Sequence, residues 1–181
     1  MLILPLWLPI LLSTVALFFA SFLSWMVLPF HRKDWVKLPD EDPVMEALRR
    51  TGVQPGSYMI PFACDPQERE SAAFKAKFAA GPVGVLTIFP GMNMGRNLGL
   101  TLLHFLIVSV CLAYLARLGL PLGADFLTVL RFVSTAAVLT FLASIVSHSI
   151  WFRCRIVGHV LESIAYAAIT GGIFAALWPK A

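Results

Sequence analysis

Charge is scarce in this chain. Lys, Arg, Asp and Glu make up 13% of its 181 residues, about half the share of an ordinary soluble domain. That composition argues against a globular domain living in water. It also leaves no basic stripe interleaved with base-stacking aromatics, so the formal charge of +4 does not point to nucleic acid. Cysteine is scarce too. Cys64, Cys111 and Cys154 share no C-x-x-C spacing, and their odd number argues against a disulfide framework. Cys111 falls inside an apolar run and reads as a small core residue. Enzyme signatures are absent: no G-x-S-x-G, Walker A, G-x-G-x-x-G or H-E-x-x-H occurs. Gly81-Pro82-Val83-Gly84 is too short for a phosphate loop, and no inverted repeat suggests a secondary transporter.

What the chain does have is length of hydrophobic run. Hydrophobic residues reach 59% and the mean hydropathy is +0.81. Four stretches, Leu2–Pro29, Leu98–Leu118, Phe126–Ile145 and Ile156–Trp178, each supply the ~20 mostly apolar residues a membrane-spanning helix needs. The first is not read as a cleaved signal. No Lys or Arg precedes it, it is too long, and bulky Phe22, Leu23, Trp25 and Met26 occupy its end.

Basic residues then set the expected orientation. Arg32, Lys33, Lys37 and Arg96 flank the long first connection, and Arg153 and Arg155 lie between the third and fourth stretches. The opposite side carries only Arg117 and Lys180. The positive-inside rule places both basic connections in the cytoplasm and both termini outside, in the periplasm of a bacterium. Gly119, Pro121 and Gly123 mark a tight turn on the outer side.

Three segments follow: a transmembrane helix over 1–30, a cytoplasmic loop subdomain over 31–96, and transmembrane helices over 97–181. The fold class expected is an all-α membrane protein, four transmembrane helices with a small α+β loop. The loop holds eight of the ten acidic residues. Asp42-Pro43 starts a short helix over 43–50, which Gly52 ends. Asp65-Pro66-Gln67-Glu68 resembles a capping box and opens a helix running to Ala80. On it Phe74 and Phe78 share a face, with Lys75 and Lys77 beside them. That face can lie along lipid headgroups, phenyls down, or pack on the strands nearby. Those strands are read at Ser57–Phe62 and Val83–Phe89.

Ionisable residues inside a membrane are costly, which makes each a functional candidate. His104 sits about seven residues into the second stretch, roughly 10 Å deep at 1.5 Å per residue. His159 and Glu162 are three apart on one face of the fourth, with Tyr166 one turn on. With His148 they fall in the cytoplasmic third. Imidazole plus carboxylate suits a transition metal, a proton relay or, through two histidines, haem. The candidate ligands are His104, His159 and Glu162. The plainer alternative is a polar cluster that hydrogen-bonds two helices together. Arg131 is expected to snorkel to the outer headgroups. Ser163, Ala167, Gly171 and Ala175 recur every four residues, a row that lets helix backbones approach, within the bundle or against another subunit.

Trp35-x-x-Leu38-Pro39-x-Glu41-Asp42, Ala47-Leu48-Arg49, Gly56-x-Tyr58-Met59-x-Pro61 and Gly81-Pro82-Val83-Gly84 resemble the pattern of a family of short bacterial four-helix inner-membrane proteins. Gly123-Ala124-Asp125 and Ile150-Trp151-Phe152 extend the resemblance along nearly the whole chain. It implies a bacterial membrane origin; no activity is known for that family, and no functional residues carry over. The function expected is a non-enzymatic accessory or scaffold subunit of the inner membrane, presenting its loop to a partner. Its partners are the bilayer and another membrane-complex subunit or a second copy. The alternative is a protein that handles a metal, haem or protons; otherwise no cofactor is required.

Overall fold

The computed structural model describes residues 3–180. It divides the chain into two compact units, a helical bundle formed by Met1–Val36 and Met94–Ala181, and a loop unit, Lys37–Asn93.

The bundle is built from α1 (Trp7–Phe22), α5 (Met94–Gly119), α6 (Phe126–Trp151) and α7 (Val157–Ala176). Four helical spans, the first running Leu4–Val27, are long and apolar enough to cross a membrane, which fits an integral multi-pass membrane protein. Their outward faces carry large exposed apolar side chains, among them Leu11, Phe19, Leu103, Ile107, Leu115 and Leu139. Water does not tolerate such a surface on a monomer; hydrocarbon does. Cys111, expected in the core, is exposed on this outer surface.

Inside, the core is tiered. Leu6, Ala116, Val129, Val133 and Phe174 fill one end, closed by Trp178. Val108, Leu112, Ala137 and Ala167 fill the middle. Leu17, Phe105 and Tyr166 form an aromatic tier toward the other end, against Phe141. Small residues set the spacing between α6 and α7. A Cβ on Gly171 would collide with the Ser134 hydroxyl and crowd Leu130, and Ser134 Oγ donates to the Ala167 carbonyl at 3.1 Å. The row Ser163, Ala167, Gly171, Ala175 is buried throughout.

α6 starts at Phe126 as expected, while other helix ends differ from the expected bounds. Asp125 caps α6 by accepting from the backbone N–H of Leu127 and Thr128 and from the Thr128 hydroxyl. α5 begins at Met94 and α6 continues past Ile145 to Trp151. The first helix does not run straight to Pro29. A 3₁₀ turn over Leu4–Leu6 precedes α1, and a wide turn over Leu23–Val27 follows it. Its Leu28 N–H reaches the Leu23 carbonyl, the i→i+5 bond of a π-turn. Leu28 is then extended, and Pro29–His31 forms a short 3₁₀ turn.

In the loop unit, β1 (Gly56–Ile60) pairs antiparallel with β2 (Gly84–Ile88), Tyr58 opposite Leu86. Helix α2 (Asp42–Thr51) ends on Gly52, whose φ of 63° is the left-handed cap position that glycine adopts freely. Asp42 is its first helical residue rather than its cap. The helix expected from Pro66 to Ala80 is two: α3 (Pro66–Glu70) and α4 (Ala72–Ala80). Ser71 is extended and its hydroxyl accepts from the Phe74 N–H, so it caps a fresh helix instead of continuing the old one.

Candidate metal centre

The site forms where the first span turns back and α7 begins. The π-turn ends α1 with Trp25 facing the returning chain, and the Pro29–His31 turn drops His31 beneath it. The two rings stack in parallel, centroids 3.9 Å apart. The backbone of α7 also comes close to the ring. A Cβ on Gly158 would lie 2.9 Å from His31 Cε1 and 3.2 Å from the Phe30 carbonyl oxygen. Glycine at the start of α7 is therefore what lets the imidazole sit against that helix.

His31 is 5% exposed. Its Nδ1 lies 2.6 Å from Asp34 Oδ2. An ionised carboxylate only accepts, so Nδ1 carries the proton and donates. Nε2 points the other way, toward Glu162 Oε2 at 3.3 Å. Yet Nε2 is fully buried and makes no hydrogen bond, because a proton placed on it would not aim well at that oxygen. Nε2 and the Glu162 carboxylate thus stand close together with no hydrogen bond between them, a gap that a cation can bridge. His159 adds to it. Its Nδ1 lies 3.7 Å from the same Glu162 oxygen, and its ring is 4.9 Å from that of His31.

Glu162 is itself 8% exposed. Its second oxygen, Oε1, accepts from the Tyr166 hydroxyl at 3.1 Å. Two of the three ligand groups are thus held from behind: His31 by Asp34 and Trp25, Glu162 by Tyr166. One donor atom from each of His31, His159 and Glu162 falls within 4.8 Å of the other two. At metal–ligand lengths of about 2.0–2.2 Å, neighbouring ligand atoms of a tetrahedral ion stand roughly 3.4 Å apart. The observed 3.3 and 3.7 Å match that edge. The third separation, between the two imidazoles, is within 4.8 Å, and His159 is only partly buried. The donor set of two imidazoles and one carboxylate suits zinc or iron(II). Two imidazoles 4.9 Å apart around a shared carboxylate leave no slot for a haem macrocycle.

A pocket of about 220 Å³ opens beside the cluster, lined from all four bundle helices, with Glu162 and His159 on its wall. His104 lines the same pocket but is not among the three clustered donors. His148 stands apart, exposed in the last turn of α6 and stacked on Phe152. Arg131, at the other end of that helix, lines a shallow groove with Leu120 and Phe132. In the loop unit, Phe74 is partly buried and stands 6.2 Å from Phe78, which is exposed, while Lys75 pairs with Glu70.

His31 and Asp34 were not singled out by sequence reasoning, since they lie just beyond the apolar run among Arg32 and Lys33. The signal for them was His31-x-x-Asp34, an i,i+3 pair directly after a membrane span. Compared with family models, with curated proteins and with solved structures, the chain finds no match. The resemblance noted above therefore assigns no family, and the chemistry of the site rests on its own geometry.

Proposed function

We propose that this integral membrane protein binds a divalent transition metal, zinc or iron(II), through His31 Nε2, His159 Nδ1 and Glu162 Oε2. The observation that carries the reading is the buried, unpartnered Nε2 of His31 facing a buried carboxylate. A second-shell carboxylate on the opposite ring nitrogen is the usual companion of a metal-binding histidine, and Asp34 occupies that place. His31 thus takes the position that the spacing along the chain had suggested for His104. A proton between His31 and Glu162 is the competing occupant, and it is the less favoured because Nε2 lacks hydrogen-bond geometry toward the oxygen.

The test is direct. Purified protein is stripped with chelator, dialysed against Zn²⁺ or Fe²⁺ and desalted, and its metal is then measured. One equivalent is expected in the wild type and in His148→Ala. Less than a tenth of that is expected in His31→Ala and Glu162→Gln. Equal metal in all four proteins would refute the site.

The distribution of Lys and Arg supports a cytoplasmic face for the loop unit and for the metal centre, in a bacterial inner membrane with both termini periplasmic. A second reading concerns the loop unit. Met59, Phe62, Phe78 and Val85 are exposed on a compact pair of strands and helices, a surface that suits either a partner subunit or, through Phe74, Lys75, Lys77 and Phe78, lipid headgroups. On that reading the protein is also an accessory subunit. Deleting residues 43–90 would then leave membrane insertion intact and abolish co-purification of the partner. Unchanged co-purification would count against it.

A further inference from the structure

Resting on the metal-centre reading, we infer that the centre is open: the protein supplies three ligands, and at least one further coordination position faces the bundle pocket, where it takes water, hydroxide or a small anion.

Three observations carry this. The described residues bring only three donor atoms together, two nitrogens and one oxygen. A structural zinc is closed by four protein ligands, whereas three plus a solvent position is the pattern of sites that exchange ligands. Next, the space exists. Glu162 and His159 form part of the wall of a cavity of about 220 Å³, enough for several water molecules and too small for a large substrate. Last, the lining is mixed in the way a hydrated metal needs. Ser21, Ser163 and His104 offer polar partners, while Phe105, Phe141 and Ile145 close the rest. A bound water needs two to four polar partners, and these side chains can supply them.

Trp25, stacked on His31, lines this pocket together with His159 and Glu162, so the pocket is the space beside the donor atoms that a small ligand can occupy. A water bound there by zinc would lose a proton near neutral pH. The centre can then act on, or sense, a small oxygen or nitrogen donor. His104 stands in the pocket as a neighbour of that ligand and not as a fourth protein ligand.

Cobalt(II) and azide test this in the full-length detergent-solubilised protein. Co²⁺ replaces the native metal and reports its coordination through visible absorption bands. Titration with sodium azide is expected to shift those bands to a saturating end point. The same shift is expected in His104→Ala. Ile145→Trp, which fills the pocket, is expected to keep stoichiometric Co²⁺ and to weaken the azide response at least tenfold. A bound Co²⁺ whose bands ignore azide, and change in His104→Ala, would overturn the open site in favour of a closed one with His104 as fourth ligand, leaving the metal centre intact. No Co²⁺ binding at all would overturn the centre and this inference together.

Discussion

A histidine ring packed between an indole and a glycine has almost no freedom, and His31 is such a ring. Trp25 lies flat against it and Gly158 leaves room for its Cε1–Nδ1 edge. Asp34 adds direction by holding Nδ1–H, which frees Nε2 for a cation. Two of the three supporting residues give separate tests. Asp34→Ala leaves the ligands in place and removes only the carboxylate behind His31; metal affinity is expected to fall 10- to 100-fold, the usual effect of losing a second-shell partner, as measured by chelator competition. Gly158→Val pushes a side chain into His31 and Phe30 and is expected to weaken metal binding at least as much. If Asp34→Ala binds as tightly as the wild type, the carboxylate does not orient the ring. The residue scale is also where sequence reasoning reached least far. His159 and Glu162 were legible because i,i+3 spacing on one helix puts them on one face. His31 was not, because its place depends on a π-turn and on backbone approaching a glycine across the bundle, neither of which leaves a periodic trace.

At the scale of the element, close approach and capping decide the structure. Gly171 and Gly172 are adjacent in α7 yet predict opposite outcomes. A Cβ at Gly171 meets Ser134, while nothing lies within 4 Å of one at Gly172. Gly171→Leu is expected to destabilise the bundle by about 1–3 kcal/mol through overpacking. Gly172→Ala is expected to be neutral or to stabilise by about 0.5–1 kcal/mol through lower backbone entropy. Thermal unfolding in detergent compares the two. The α6 cap gives a pH signature. The Thr128 hydroxyl, with backbone N–H groups behind it, holds the Asp125 carboxyl below its ordinary value of 3.8. A lowered carboxyl pKa stabilises the fold above the unfolded value, and that contribution is lost as pH falls through the folded one. The midpoint difference between wild type and Asp125→Ala should therefore be full at pH 7 and shrink below about pH 4. A difference that is constant with pH would show that the cap acts without its charge. Hydropathy located all four spans, since twenty apolar residues in a row have few other uses. It met the start of α6, where Asp125 caps the helix, and missed the start of α5 and the end of α6 by several residues. Ser71 shows the same limit, breaking one expected helix into two with a single hydroxyl.

On the scale of the whole molecule, four spans enclose one polar centre while their outer faces remain apolar. The core tiers are apolar apart from buried hydroxyls such as those of Ser13, Ser109 and Thr170, and ionisable groups gather beyond the aromatic tier at the end where α1 finishes and α7 starts. Trp178 closes the far end, its indole N–H donating to the Pro121 carbonyl at 3.0 Å. Trp178→Phe should lower stability by about 1 kcal/mol, the value of one such bond, with metal content unchanged. Loss of metal in that variant would mean that the two ends are coupled. The membrane character was legible from composition alone; that the centre joins the first and last spans was not, because helix order in space is set by packing rather than by any one segment.

The central claim is the identity of the donor set, and zinc K-edge X-ray absorption on the loaded, desalted protein reads it most directly. The expected result is a first shell of nitrogen and oxygen at about 2.0–2.2 Å, with outer-shell scattering from two imidazoles, those of His31 and His159. A sulfur shell near 2.3 Å, or scattering from any number of imidazoles other than two, would contradict it.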